Sequence, residues 1–555
     1  MKKLLSALTL CISLCVGLES VAQAQEVSAV GSNLLRIGAG SNDNSIGGST
    51  RKRYFEEIAN ARIFFNNFSL GLRYEMDDPS EVGPSFQGIR RRWLEYKKDN
   101  LDLTAGHVTS LYGRGLAINN FESRPINYDA WLDGFSGKYE YKWPKEEADF
   151  RPSLGIQAMA GTLLFHNVGT TPADTGKPDQ NISARTINGE FGLFGKKLIL
   201  GASFVQAFNS IPGQGINKIV YTNRETNQPE AYLSFITGDF SGFFGFTEAR
   251  SNLTQIRNLP DSVFNRGKAM YGSLSYAGSE FGLTMEYKNY QYFVHSSTDP
   301  YANYFSKLPL SSPPEVYKEF TYTSITRTTH AVNFDDEVGF QIEANITAIP
   351  DFTITLNAAA SSRHKNYTGQ EDSLGNPIIN GEASAFPKLS DYGFFPFWEF
   401  FGEVEYELGD LSYIKAFAHR RSDVPAPGLI VRTTTTGAKF QYETTPSQSL
   451  LLILEHQWEY NTEHTEGDHT YTNTLLTAQY SFNPVITFGG IFDFSTWYED
   501  VRHIWPEAFV SYRIGGSHTL LMSYGAERGG LNCSGGVCRY VPAFDGLRMT
   551  LTSQL

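Results

Sequence analysis

The sequence predicts an all-β chain. Its expected form is a transmembrane antiparallel up-and-down β-barrel of about 24 strands (22–26), with short periplasmic turns and long extracellular loops. Three observations predict this. Extended segments of about ten residues alternate apolar and polar side chains. Very short and long polar connections take turns along the whole chain. No internal run approaches the roughly 18 apolar residues that a transmembrane helix needs.

The N-terminus is read as an export signal. Lys2 and Lys3 precede the apolar run Leu4–Leu18, and Ala22-Gln23-Ala24 supplies a cleavage site. Residues 1–24 are therefore expected to leave, and 25–555 to form one outer-membrane barrel domain. Cys15 follows Leu14, where a lipidation site needs a small residue, so no lipid anchor is expected. Loss of Lys2, Lys3 and Glu19 takes the formal charge from −13 to −14. So acidic an exported chain is not a nucleic-acid binder.

The pattern is plainest in FWEFFGEVEYELG, Phe397 to Gly409, with five aromatics and four glutamates in thirteen residues. A strand sends alternate side chains to opposite faces. Trp398, Phe400, Val404, Tyr406 and Leu408 share one face; Glu399, Glu403, Glu405 and Glu407 share the other. FSLGLRYEM, LILGASF, FGLTMEYKNY and VITFGGIFDFSTW repeat the alternation. Asn66-Asn67, Lys98-Asp99-Asn100, Gly238-Asp239, Pro350-Asp351 and Asn483-Pro484 are hairpin turn sequences. The long connections include 114–134, 292–337 and 364–394. In hydrocarbon every backbone polar group needs a partner, so only helices and closed barrels cross a bilayer. The apolar faces then meet lipid and the glutamates a wet lumen. A secreted β-sandwich or propeller shares the periodicity but not the short/long asymmetry of connections. Trp143, Trp458, Tyr460 and Trp497 near strand ends suit an interfacial girdle. The terminal strand GLRMTLTSQL ends in Leu555 rather than the common Phe.

RRRWLEYKKDNLDLTAGHVTSLYGRGLAINNFESRPINYDAWLDGFSGKYEYKW resembles an uncharacterised family of outer-membrane barrels from Bacteroidota and relatives. Its marks are a GRGL segment, an acidic-arginine element and an N-x-D element. Gly113, Arg114, Gly115, Leu116, Glu122, Arg124, Asn127 and Asp129 carry them. The ending YGAERGGLNCSGGVCRYVPAFDGLRMTLTSQL is similar to the last hairpin of related barrels. The resemblance implies fold and location, and no activity.

Candidate lumen or constriction residues are Arg114, Glu122, Arg124 and Asp129 in the GRGL connection, where Glu122–Arg124 and Arg114–Asp129 pairs are expected. To these are added Arg73, Glu75, Arg91 and Glu95 near the N-terminus. The glutamate row Glu399, Glu403, Glu405, Glu407 faces Lys415, His419 and Arg421 of the next strand, which would neutralise it across the ladder. Charged rows of this kind either select solutes or cross-link a filled interior. Cys533 and Cys538, with four residues between them in a glycine-rich turn, are expected as a disulfide in an oxidising compartment. EHTEGDHT offers His464, Glu466, Asp468 and His469 as weak metal ligands without a fixed spacing, so no metal is assigned. Asn333–Glu337 (NFDDE) lacks the glycine and spacing of a calcium loop and is read as a solvated loop end. No catalytic motif is found, so no enzyme and no cofactor are expected.

The functional expectation is a porin-like channel or transporter for hydrophilic solutes without a TonB-type plug, since only about seven mature residues precede the first strand near Ser32. The alternative is a non-conducting surface scaffold or secretion-accessory barrel binding a partner through its long loops. If the lumen is occluded, 292–337 and 364–394 are the segments to do it. Expected partners are outer-membrane lipid and lipopolysaccharide, the barrel assembly machinery and an unknown solute.

Overall fold

A computed structural model describes residues 27–554 except 45–47, 82–84, 125–127, 144–150, 167–178, 216–217, 255–261, 294–306, 368–383, 465–467, 498–501, 535–536 and 542. The expected signal segment 1–24 and Glu466 lie outside the described residues.

Twenty-four strands form one antiparallel sheet that closes on itself. Val27–Asn44 pairs with Gly48–Phe65 on one side and with the last strand, Phe544–Gln554, on the other, from Ser32↔Gln554 to Ser41↔Asp545. Closure leaves no sheet edge, which is what a bilayer demands of strands. The first strand begins at Val27, earlier than the expected Ser32.

The wall obeys the two-residue period. Phe400, Val404, Tyr406 and Leu408 are 58%, 41%, 37% and 47% exposed on the outer face, whereas Glu399 and Phe401 are buried inside. The short turns hold the residues that tolerate a left-handed backbone. Asn66, Asp99, Gly238 and Asp351 have φ of 52°, 51°, 55° and 63°.

Two irregularities of the wall shape the interior. Leu101–Val108 has 8 residues, short for this wall, and the chain turns inward after it. The strand Phe86–Lys98 carries one extra residue opposite Arg73/Tyr74. This bulge turns Arg90 toward the lumen beside Arg91, where strict alternation would set them on opposite faces.

Candidate functional site

The lumen is not an empty passage. Two segments fold into it, one after Val108 and one over residues 307–336. The first is held at its root by Asn120, which is 2% exposed. Its side chain accepts from Ser110 N at 2.7 Å and donates to Val108 O and Ala130 O at 3.1 and 3.2 Å. One buried amide thus satisfies the backbone groups where two wall strands end. Beyond it, Gly113 and Gly115 take φ of 52° and 82° and fold the GRGL stretch back on itself. A Cβ at Gly115 would lie 2.6 Å from Ser312 O. Leu116, Ala117 and Ile118 are fully buried. Ile118 and Ala117 pack on small inward wall residues such as Ala184, Val205 and Ala207. The wall also bonds the segment directly. Tyr112 Oη lies 2.7 Å from Thr186 Oγ1, and Gln228 Nε2 donates to Leu116 O at 2.9 Å. The described part of the expected connection 114–134 therefore lies inside the barrel up to Trp131, while Leu132 to Gly134 already belong to the next wall strand and 125–127 lie outside the described residues.

Its acidic-arginine part joins the N-terminal charged rows in one cluster. Arg73 Nη1 donates to both carboxylate oxygens of Glu122 at 2.9 and 2.7 Å. Arg91 meets Asp129 at 2.5 Å, and Arg124 meets Glu56 at 2.8 Å and Glu75 at 3.0 Å. Arg36 extends the cluster to Glu56 and Glu81 at 2.9 and 2.5 Å. The expected pairs differ. Glu122 is taken by Arg73 and Arg124 by Glu56 and Glu75, so these two loop residues bind the wall rather than each other. Arg114 does not reach Asp129; it is exposed, 5.6 Å from the Phe243 ring centroid. Arg90, brought in by the bulge, lies 3.7 Å from Asp129 and 3.8 Å from Glu75. Sequence alternation missed it because a bulge leaves no mark in a polar run such as Arg90-Arg91-Arg92.

The second segment is a strap across the lumen. It begins against the first: Asn119 Nδ2 donates to Ser312 O at 3.0 Å, Ser311 Oγ to Ala117 O at 2.8 Å and Tyr128 Oη to Pro309 O at 2.7 Å. It then passes the wall from strand to strand. Tyr290 Oη donates to Pro314 O at 2.7 Å, and Lys318 pairs with Glu343 at 2.6 Å. Tyr322 donates to Glu403 and packs on Phe401 and Phe417. A single helical turn, Thr323–Thr326, presents Thr323 N and Ser324 N to the Glu455 carboxylate at 3.1 and 2.7 Å. Gln457 Nε2 bonds Ser324 O at 2.9 Å, and Arg327 reaches Asp493 at 2.5 Å.

The strap returns through a buried chain of charges. His330 Nδ1 is 3.0 Å from Asp423 and Nε2 is 3.3 Å from Glu337. Arg421 backs Asp423 at 2.6 Å, and Lys288 backs Glu337 at 2.6 Å. The imidazole stacks on Phe397 with ring centroids 4.0 Å apart. Burial lowers the His330 pKa, but the two carboxylates outweigh it and raise it to about 9. In NFDDE, Asp336 is fully buried and Glu337 2% exposed. Asp336 accepts from His364 N at 3.0 Å, and Glu337 from Asn333 N at 2.7 Å. The expectation of a solvated loop end is corrected: these acids fasten the strap.

The remaining predicted residues line the wall. Glu95 bonds Arg62, Ser69 and Lys97. Lys415 pairs with Glu405 at 2.5 Å and Glu403 at 3.6 Å, and His419 approaches Glu399 at 3.4 Å. Arg421, though opposite Glu399, goes to Asp423 instead. Glu407 is exposed near the short turn. His464 is buried among Tyr471 and Trp497, His469 Nδ1 meets His464 O, and Asp468 is exposed. The described residues hold no group of three acids, histidines or cysteines suited to a metal. The backbone sets Cys533 opposite Cys538 in the hairpin Gly530–Ser534/Val537–Val541.

These observations correct the functional expectation. A plug-free, porin-like channel for hydrophilic solutes needs an open lumen, and both inward segments occupy it. A scaffold acting through long outer loops fares no better, because the described part of 292–337 is turned inward. No curated protein matches the chain. Similar solved structures include receptors, a transporter and an usher. They include the copper transporter OprC (10% identity, TM-score 0.39, covering 96% of this chain and 81% of that one). The siderophore receptor PirA from Pseudomonas aeruginosa is 8% identical with a TM-score of 0.41, over 96% and 81% of the two chains. The P pilus usher (PapC) translocation pore is 9% identical with a TM-score of 0.41, over 95% and 99%. The sequence relationship is firmer: the family model of DUF6029, a family of unknown function, matches residues 1–555, and the chain belongs to that family.

Proposed function

We propose that this protein is a self-closed transport barrel of the outer membrane, in which the chain's own strap is the gate. The observation that carries this reading is the strap's path. It crosses the lumen from Leu310 beside Asn119 to Arg327 on Asp493 and comes back to Glu337, bonding side chains of the wall along the way. Passage through the barrel requires its displacement. Many of the attachments are hydrogen bonds and ion pairs, which exchange for water more readily than the apolar contacts of Tyr317, Tyr322 and Ile325 with Phe397, Phe401 and Phe417. The charged cluster around Arg73, Arg91, Glu122 and Arg124 instead anchors the first inward segment as a fixed part of the interior. The exposed Arg114 is the luminal residue placed to meet a passing solute.

The same reading keeps an export signal at 1–24, one barrel domain over 25–555, assembly by the barrel machinery, a Bacteroidota-type source, a Cys533–Cys538 disulfide, and no enzymatic role. The test uses the geometry of the strap's ends. Phe293 N donates to Asp335 O at 3.0 Å, so a short glycine linker can replace 294–334. Vesicles carrying the full chain should retain a small entrapped dye, and vesicles carrying the shortened, folded chain should lose it. Equal retention by both, or equal leakage, removes the strap from the role of gate.

A further inference from the structure

The outer face of the strands Phe397–Gly409, Ser412–Ala426, Leu429–Thr445, Gln448–Asn461 and Thr470–Asn483 changes character at one level. Near the short turns one transverse row reads Val404, Ala416, Ala438, Leu454, Leu476. It is apolar throughout, with Leu454 50% exposed. Four residues farther along each strand, toward the long connections, the row reads Phe400, Arg420, Thr434, Trp458, Thr472. The next reads Trp398, Ser422, Arg432, Tyr460, Thr470. From the upper two rows Arg420, Arg432, Thr434, Trp458, Tyr460 and Thr472 line a groove of about 470 Å³ on the lipid-facing side, with the apolar row below it.

Two guanidiniums stand in it. Arg420 donates to the Thr434 hydroxyl, and Arg432 Nη2 to the Tyr392 hydroxyl at 2.7 Å, with its carbon 5.6 Å from the Tyr460 ring centroid. Among the described residues neither makes an ion pair. The nearest acid in the lining, Glu459, turns to the lumen and is 4% exposed. Trp458 is 49% exposed, and the Thr472 and Thr496 hydroxyls lie beside it.

We infer that this groove binds the phosphate of an outer-leaflet glycolipid of the lipid A type. Long connections face outward in barrels of this class, so the arginines stand at the outer-leaflet headgroup level. Arginine forks match phosphate oxygens, and tryptophan and tyrosine belong at that depth. The apolar row beneath receives the acyl chains. That continuity makes the ligand a lipid-borne phosphate rather than a free anion.

The test takes the folded full chain in mild detergent, titrates it with diphosphoryl lipid A and counts bound lipid by native mass spectrometry. Arg420→Gln with Arg432→Gln should weaken binding about tenfold or more, and dephosphorylated lipid A should bind the unaltered chain as weakly. Arg420→Lys with Arg432→Lys should retain part of the affinity. Arg250→Gln with Arg266→Gln, two exposed cations that already meet Glu248 at 2.5 and 3.1 Å, should leave it unchanged. If the double variant does not fold, the exposed Arg420→Gln alone should still weaken binding about threefold. Affinity within about twofold of the unaltered chain, or displacement by inorganic phosphate or phosphatidylglycerol at equal concentration, overturns the assignment.

Discussion

His330→Phe isolates the bond that fastens the strap's return. Phenylalanine keeps a ring against Phe397, whose centroid is 4.0 Å away, and removes the contacts to Asp423 and Glu337 at 3.0 and 3.3 Å. Both carboxylates keep a cation, Arg421 and Lys288, so no bare buried charge remains. The loss is then two charge-assisted hydrogen bonds, about 3 kcal/mol in all. Applied to detachment of the strap, this raises the detached fraction about a hundredfold. Hydrogen exchange of residues 320–330 reads it directly. Thr326 N and Arg327 N are bonded only within the strap, to Tyr322 O and Thr323 O, and are protected as long as it stays seated. The wall strands should exchange as before. Acceleration of less than about threefold across the strap would mean that His330 is not holding it.

Alkaline pH should loosen the same segment. The His330 pKa rises from 6.5 to about 9, so its stabilisation is complete below 6.5 and is lost as pH passes about 9. Burial raises Glu315 from 4.5 to about 7, so its own contribution is lost between those values and is gone before the His330 range ends. Strap exchange, corrected for the intrinsic rate, should therefore rise between pH 7 and 10, and His330→Phe should flatten the upper part of that profile; an unchanged profile in the variant contradicts the assignment. Gly115→Ala should cost about 1–3 kcal/mol, since alanine is strained at φ 82° and its Cβ would press on Ser312 O. Thermal unfolding of the folded barrel measures it, and a loss below about 0.5 kcal/mol would mean the two inward segments are not tightly seated.

The barrel was legible because each wall strand meets two solvents. Phe397–Gly409 shows it residue by residue, and the turns at Asn66 and Asp99 mark where the chain reverses. The contents of the lumen were legible only in part. Segment 292–337 stood out by its length. Its attachments did not, because Ser324 and Gln457 lie 133 residues apart and Arg327 and Asp493 166 apart. Nothing local encodes such pairings. One local signal was present. Phe204 and Phe208 are each 42% exposed outside, while Val205 and Ala207 are fully buried inside. A wall strand apolar on both faces has something packed within. The Glu122–Arg124 expectation failed because neighbours along a loop compete with wall residues that the fold brings closer, here Arg73 and Glu75.

The proposed gate requires that the chain close its own lumen. Single-channel recording of the folded full-length barrel in a planar bilayer tests it most directly. A silent baseline with rare, brief openings is expected, the openings becoming frequent in His330→Phe and permanent when 294–334 is replaced by a linker. A steady conductance from the unaltered chain, equal to that of the shortened one, would contradict it.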